Sequence, residues 1–183
     1  MQDITFQENW PIDLARNKLI TELPYIGNQY KISFDLLISK FDATDYQSII
    51  HFGLGGNIEA YGDRAPAVWV HKDKYLHVTS SINGNKNLWY NVQNVPLVEN
   101  KWYKIEISQT LMDGKVNFTQ ENIIITVCLF QYIYEVLVNG DQVYTVENTQ
   151  AQKFAPVKVF AGDNFYATPE GKIRNLYVYT RHE

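Results

Sequence analysis

The sequence predicts an all-β fold, a sandwich or barrel of antiparallel strands, and three observations predict it. Apolar residues alternate with period two through most of the chain, and no long helical period stands out. Tyr, Phe, Val and Ile, which suit a pleated, half-buried surface, recur in short runs separated by turn residues. About a dozen such runs follow one another at regular spacing, the pattern of a sandwich or barrel. The 183 residues fit a single domain spanning 1–183, long enough to bury a core without disulfide staples.

The first clear strand is Tyr30 to Ser39. Tyr30, Ile32, Phe34, Leu36 and Ile38 share one face and Lys31, Ser33, Asp35 and Ser39 the other, so one side is wet. Gln47 to Leu54 repeats the pattern with Ile50, Phe52 and Leu54 and stops at Gly55-Gly56-Asn57. Ala67 to Ile82 reads as a hairpin. A loop at Asp73-Lys74-Tyr75 pairs Val70 with Val78 and Val68 with Ser80, and gathers Trp69, His71, His77 and Thr79 on the opposite face. Further strands are expected at Trp102–Thr110, Tyr132–Val138, Gln142–Val146, Val157–Ala161 and Lys172–Thr180, with Asn139-Gly140 as a hairpin turn.

Residues 116–131 (VNFTQENIIITVCLFQ) break this order. Without them, Asp113-Gly114-Lys115 would close an ordinary hairpin into Tyr132. The segment holds the single cysteine, Cys128, and the sequon Asn117-Phe118-Thr119, and from Ile123 to Phe130 it is apolar, β-branched and uncharged. Its first codon begins GT, and Cys-Leu-Phe-Gln can be encoded by a pyrimidine tract ending in CAG. Two readings stand, a translated retained intron and a genuine inserted loop with an extra strand.

The formal net charge is −4, with no basic stripe, which argues against nucleic acid as a partner. No apolar run reaches the ~20 residues of a membrane helix, so insertion into a membrane is not expected. One cysteine forms no internal disulfide and leaves the compartment unmarked. Met1 to Phe6 lacks the basic and apolar regions of a signal peptide. The chain is therefore either cytoplasmic or, as we expect, an extracellular domain of a longer secreted protein.

The order of motifs brings in a resemblance. Lys101-Trp102-Tyr103-Lys104-Ile105-Glu106-Ile107-Ser108-Gln109 resembles the W-x-x-I/V-x-I/V-x-Q strand of laminin-G and pentraxin-like domains. Glu135 to Gly140 is similar to their V-x-V-N-G hairpin, and Gly171 to Val178 to their closing G-x-I-x-N-L strand. The chain thus resembles the concanavalin A-like lectin and glucanase superfamily. The resemblance implies a two-sheet antiparallel jelly-roll sandwich that binds glycans or protein partners, sometimes with calcium. It does not fix the function.

Glycoside hydrolysis needs two facing carboxylates. No strand carries the E-x-D-x-x-E pattern of glycosidase relatives, and Glu106 and Glu135 are isolated acids, expected to face solvent. There is no G-x-S-x-G elbow and no zinc spacing; His71 and His77 could face each other across the hairpin, but without further ligands they read as two surface histidines. The expected function is non-catalytic binding of a carbohydrate, with adhesion through protein contacts as the alternative. A sugar site needs an aromatic ring for the apolar sugar face and polar groups for the hydroxyls. Trp69 and Trp89, with Asn83, Asn85 and the nearby Asn87, fit that need, as do Asp63 and Arg64 in the Gly-rich stretch 55–69 and the loop Asp163 to Tyr166. Asn57 and Asp63 are candidate oxygen ligands for calcium; the simpler role for Asp63 and Arg64 is to pair or cap the turn. Trp10 and Trp102 are expected in the core or at its edge.

Overall fold

The structure, a computed structural model, describes residues 3–120 and 123–181, with side chains described outside residues 113–130. Two sheets form an open all-β jelly-roll sandwich. One sheet holds β1 (Ile4–Glu8), β2 (Ile12–Asp13), β4 (Gln29–Lys40), β9 (Trp102–Gln120), β10 (Ile123–Val138), β11 (Asp141–Asn148) and β13 (Glu170–Arg181). Its order is β1-β13-β4-β9-β10-β11, with β2 also beside β13. The six-stranded sheet holds β3 (Leu19–Leu23), β5 (Tyr46–Gly53), β6 (Ala67–His71), β7 (Leu76–Ile82), β8 (Asn85–Val92) and β12 (Val157–Phe160), in the order β3-β12-β5-β6-β7-β8.

Alternation along each strand builds the core between the sheets. β4 turns Tyr30, Ile32, Phe34, Leu36 and Ile38 inward as expected, against Ile50, Phe52, Val68, Val70, Leu76 and Val78 of the facing sheet. Each such side chain, fully buried, contributes roughly 1.5–3 kcal/mol. Leu54 departs from the expected pattern: it lies past the end of β5 and is more than a third exposed. Trp10 also differs, being 78% exposed in the connection between β1 and β2. Trp102 is half-buried under the Arg174 guanidinium, 3.9 Å from the ring centre. Glu106 is ion-paired to Lys31 (3.0 Å) and Lys104 (2.9 Å), and Glu135 accepts a hydrogen bond from Gln142 Nε2.

The hairpin of β6 and β7 forms with the expected faces but a different pairing. Val68 stands opposite Val78, and Val70 opposite Leu76. The loop is Lys72-Asp73-Lys74, closed by His71 N–H donating to the Tyr75 carbonyl (2.9 Å), with Lys74 at φ 64°. Each strand is offset by one residue from the expected register. Opposing positions then move by two, so the faces are preserved. Asn139-Gly140 makes the expected turn between Val138 and Asp141, and Asn83-Gly84 makes a similar one between Ile82 and Asn85. Both residues of each pair have positive φ, the type I′ geometry.

β9 and β10 form one continuous ladder from Ile105↔Val138 to Gln120↔Ile123. β4 accompanies β9 only as far as Gln109, and β11 accompanies β10 only from Tyr132. Beyond these points, among the described residues, the two strands pair with each other alone. The side chains of Cys128 and Asn117 lie outside the described set.

Candidate functional site

The outer face of the six-stranded sheet is covered in part by two loops, residues 54–66 and 161–169. Between sheet and loops lies a cleft of about 390 Å³. Period-two alternation supplies its floor and one wall: Trp69 from β6, its cross-strand partner His77 from β7, and Asn87, Trp89 and Asn91 from successive outward positions of β8. Tyr46 comes from β5, Asn57, Ile58 and Arg64 from the first loop, and Tyr166 from the second.

Trp69 is buried at the floor, whereas Trp89 is 56% exposed at the rim. Trp89 stacks on His77 at 5.7 Å and 27°. His77 Nδ1 and Asn91 Oδ1 lie 2.6 Å apart, which orients ring and amide together. Burial pushes the His77 imidazolium down, the nearby Arg64 charge adds to this, and the bond to Asn91 opposes it; the net shift is downward. His77 is thus the neutral base at neutral pH. His71 and His77 do not stand opposite each other across the hairpin, since His77 faces Trp69 and His71 bonds to Tyr75; the Tyr46 ring contacts both, at 5.1 and 4.9 Å.

Arg64 ties the first loop to the sheet. Its Nε donates to the Asn57 carbonyl (2.9 Å), its Nη2 to Asn57 Oδ1 (2.6 Å) and Tyr166 Oη (3.2 Å), and its Nη1 to Asn87 Oδ1. The guanidinium also lies over the Trp69 ring, 4.6 Å from its centre.

A buried polar network behind the cleft holds both loops. A bulge at Ile49 breaks the alternation of β5, so that both Ser48 and His51 face outward. Both reach Asp163, which is 1% exposed. Asp163 Oδ2 accepts from Ser48 Oγ (2.9 Å) and His51 Nδ1 (3.1 Å), and Oδ1 accepts from the backbone N–H groups of Phe165 and Tyr166 (2.9 Å each). His51 Nε2 donates to the Asp63 carbonyl at 2.5 Å. An acceptor at each ring nitrogen is the arrangement an imidazolium satisfies. The close approach of the loop depends on Gly53, where a Cβ would collide with that carbonyl.

Burial alone would raise the Asp163 carboxyl, but its hydrogen bonds and the His51 charge outweigh burial and hold it below the usual range. A lowered carboxyl stabilises the fold fully above its unfolded value of about 4, and that contribution is lost as pH falls through the folded value. Melting temperature measured against pH is therefore expected to drop in acid, below about pH 4, more steeply in the wild type than in Asp163→Asn. Parallel profiles would show that Asp163 does not carry the effect.

Of the residues the sequence nominated, the fold brings Arg64, Trp69 and Trp89 into the cleft, with Asn57 beside them. Asp63 is excluded: its Oδ2 accepts from Ala60 N–H at 2.7 Å, the turn-capping role, and its carboxylate packs on Gly56. Asn83 is also excluded, because its amide is spent on the Glu147 carbonyl and Thr149 N–H at the end of β11. Asn85 is turned to the backbone N–H of Asn87 (2.9 Å). Calcium takes six to eight oxygens, and Asn57 and Asp63 do not fit that need. The Asn57 side-chain oxygen faces a guanidinium, a fixed positive charge, and the Asp63 carboxylate faces a backbone donor. Tyr166 comes from the loop Asp163 to Tyr166 that the sequence also offered, whereas Tyr46, His77 and Asn91 were not among the expected site residues. The N-x-W-x-N spacing at 87–91 was a readable sign once that segment is taken as a strand.

No family model matches the chain, and no curated protein matches it. Solved structures share its fold at low identity. A heptameric SAP-like pentraxin from Limulus polyphemus is 14% identical, with a TM-score of 0.58 over 93% of this chain and 76% of that one. The receptor-binding domain of botulinum neurotoxin D is 13% identical, with a TM-score of 0.53 over 98% of this chain and 41% of that one, so this chain spans about two fifths of its length. The CBM40 of a Ruminococcus gnavus sialidase, solved with α2,3-sialyllactose, is 12% identical, with a TM-score of 0.47 over 94% and 92%. The fold, with the pentraxin likeness, defines the class: an antiparallel jelly-roll sandwich.

Proposed function

We propose that the chain is a non-catalytic carbohydrate-binding module of the concanavalin A-like kind, and that the cleft over Trp69 is its saccharide site. The observation that carries this is Trp89, half out in solvent and braced by His77, with Asn87 and Asn91 on either side of it on the same strand face. The ring offers an apolar plate for a sugar face, and the amides offer donors and acceptors for hydroxyls. The residues lining the cleft include no Asp or Glu, so the site holds no carboxylate pair for glycoside hydrolysis. A glycan array read with calcium and with chelator tests the proposal. Retention of a saccharide equally in both conditions is expected, and no retention in either would overturn it.

We also propose that residues 116–131 are an insertion into a sandwich complete without them. Support comes from the pairing of Leu111 with Tyr132: joining Lys115 to Tyr132 leaves that rung intact and closes it with the four-residue loop Met112-Asp113-Gly114-Lys115, a common hairpin length. The deletion variant is expected to melt within a few degrees of the full chain by calorimetry. Failure of the shortened chain to fold would refute the idea.

A further inference from the structure

We infer that the saccharide this cleft takes is an anionic one, bearing a carboxylate or a sulfate; the inference rests on the proposed saccharide site. It starts from Arg64, which is only 5% exposed and lines the cleft. Buried charges are ordinarily paired with an opposite charge. Among the described residues Arg64 has no such partner. Its hydrogen-bond acceptors are a carbonyl, two side-chain amides and a tyrosine hydroxyl, all neutral. The two acids of its own loop are engaged elsewhere. Asp63 caps Ala60, and Glu59 accepts from the backbone N–H groups of Asn57 and Ile58.

The remainder of the cleft supplies no opposite charge; the Trp69 ring under the guanidinium offers a cation–π contact only. Trp69, Trp89, Tyr46, Tyr166 and the two β8 asparagines are neutral, and His77 is held in its neutral form. The site is therefore a hollow with one full positive charge and no negative one. The chain as a whole carries −4, so this charge is local and not part of a basic surface that would attract polyanions at large. The guanidinium fork suits both the carboxylate and the sulfate group. Four of its five N–H groups are used as described above, and one on Nη1 has no partner among the described residues. An anion set beside Trp89 would take up that donor and gain from a charge already stripped of water.

The test uses the wild-type chain and ligand pairs in which one charged group is present in one member and masked or absent in the other. Suitable pairs are the methyl glycoside of N-acetylneuraminic acid and its methyl ester, methyl glucuronide and its methyl ester, and galactose with and without a sulfate. Titration calorimetry at about 0.05 M and 0.5 M salt reads both the preference and its screening. The charged member of at least one pair is expected to bind about tenfold tighter, with the gap narrowing several-fold at high salt. Whether it is a carboxylate or a sulfate pair identifies the group. Arg64→Lys, checked for folding by circular dichroism, should keep part of the preference. If neutral saccharides bind and each pair binds equally, the inference fails while the saccharide site stands. If no saccharide of either kind binds, both fail.

Discussion

Replacing Asp163 with alanine is expected to destabilise the fold by about 3–5 kcal/mol, the usual cost of breaking a buried, hydrogen-bonded charge pair by removing one partner. The carboxylate is 1% exposed and accepts four hydrogen bonds. Its loss would strand His51 between a vacated space and the Asp63 carbonyl, and would leave the Phe165 and Tyr166 amides without an acceptor. For a domain of this size the change amounts to about 10 °C in melting temperature. Because the same carboxylate positions the loop that carries Tyr166, saccharide affinity should weaken in the same variant. A change below about 1 kcal/mol in urea unfolding would mean that the network is not a buried charge pair. Asp163→Asn is the control: its amide oxygen can still accept from the two backbone N–H groups, and a smaller loss is expected.

Replacing Trp89 with alanine should do the opposite, leaving stability nearly unchanged while removing binding. Trp89 is 56% exposed and closes no core cavity, so the melting temperature should stay within a degree or two, as for most surface substitutions. Loss of the ring is expected to cost about 2 kcal/mol of binding, or about 30-fold in affinity, the scale of a tryptophan that anchors an interface. Trp89→Phe should retain part of it. Trp10 is still more exposed but belongs to the connection between β1 and β2, so Trp10→Ala should bind normally. Unchanged affinity in Trp89→Ala would remove the ring from the site.

Much of the sandwich was legible because strand alternation is a local property. The five inward residues of β4 could be listed from their spacing, and the face shared by Trp69 and His77 survived an error in the hairpin register. That error has a cause: the loop puts Lys74 at φ 64°, and a lysine there carries none of the glycine or asparagine signal that marks such a position. β8 was missed for a different reason. Leu88, Tyr90 and Val92 do face the core, with Asn87, Trp89 and Asn91 on the cleft side, but the strand follows directly on Asn83-Gly84 and its asparagines read as a continuation of that turn. The bulge at Ile49 left no sign in composition, although it is what turns Ser48 and His51 toward the same carboxylate.

The likeness to solved structures agrees with this division, since a shared sandwich at 13–14% identity speaks of backbone and leaves the outer faces free to differ.

By itself the sequence determined that the chain forms short antiparallel strands, which faces they bury, where the Asn-Gly turns fall, and that Trp69 and Trp89 are candidate rings for a sugar face. The tertiary structure decided that Arg64, Trp69 and Trp89 share one cleft with Tyr46 and Tyr166, that Asp63, Asn83 and Asn85 lie outside its lining, and that His51 and Asp163 are bound to each other. The reason is one of range. A period of two is set by the neighbouring residues of a single strand, whereas the cleft is set by the packing of four strands and two loops, and its partners meet from as far apart in the chain as Arg64 and Tyr166.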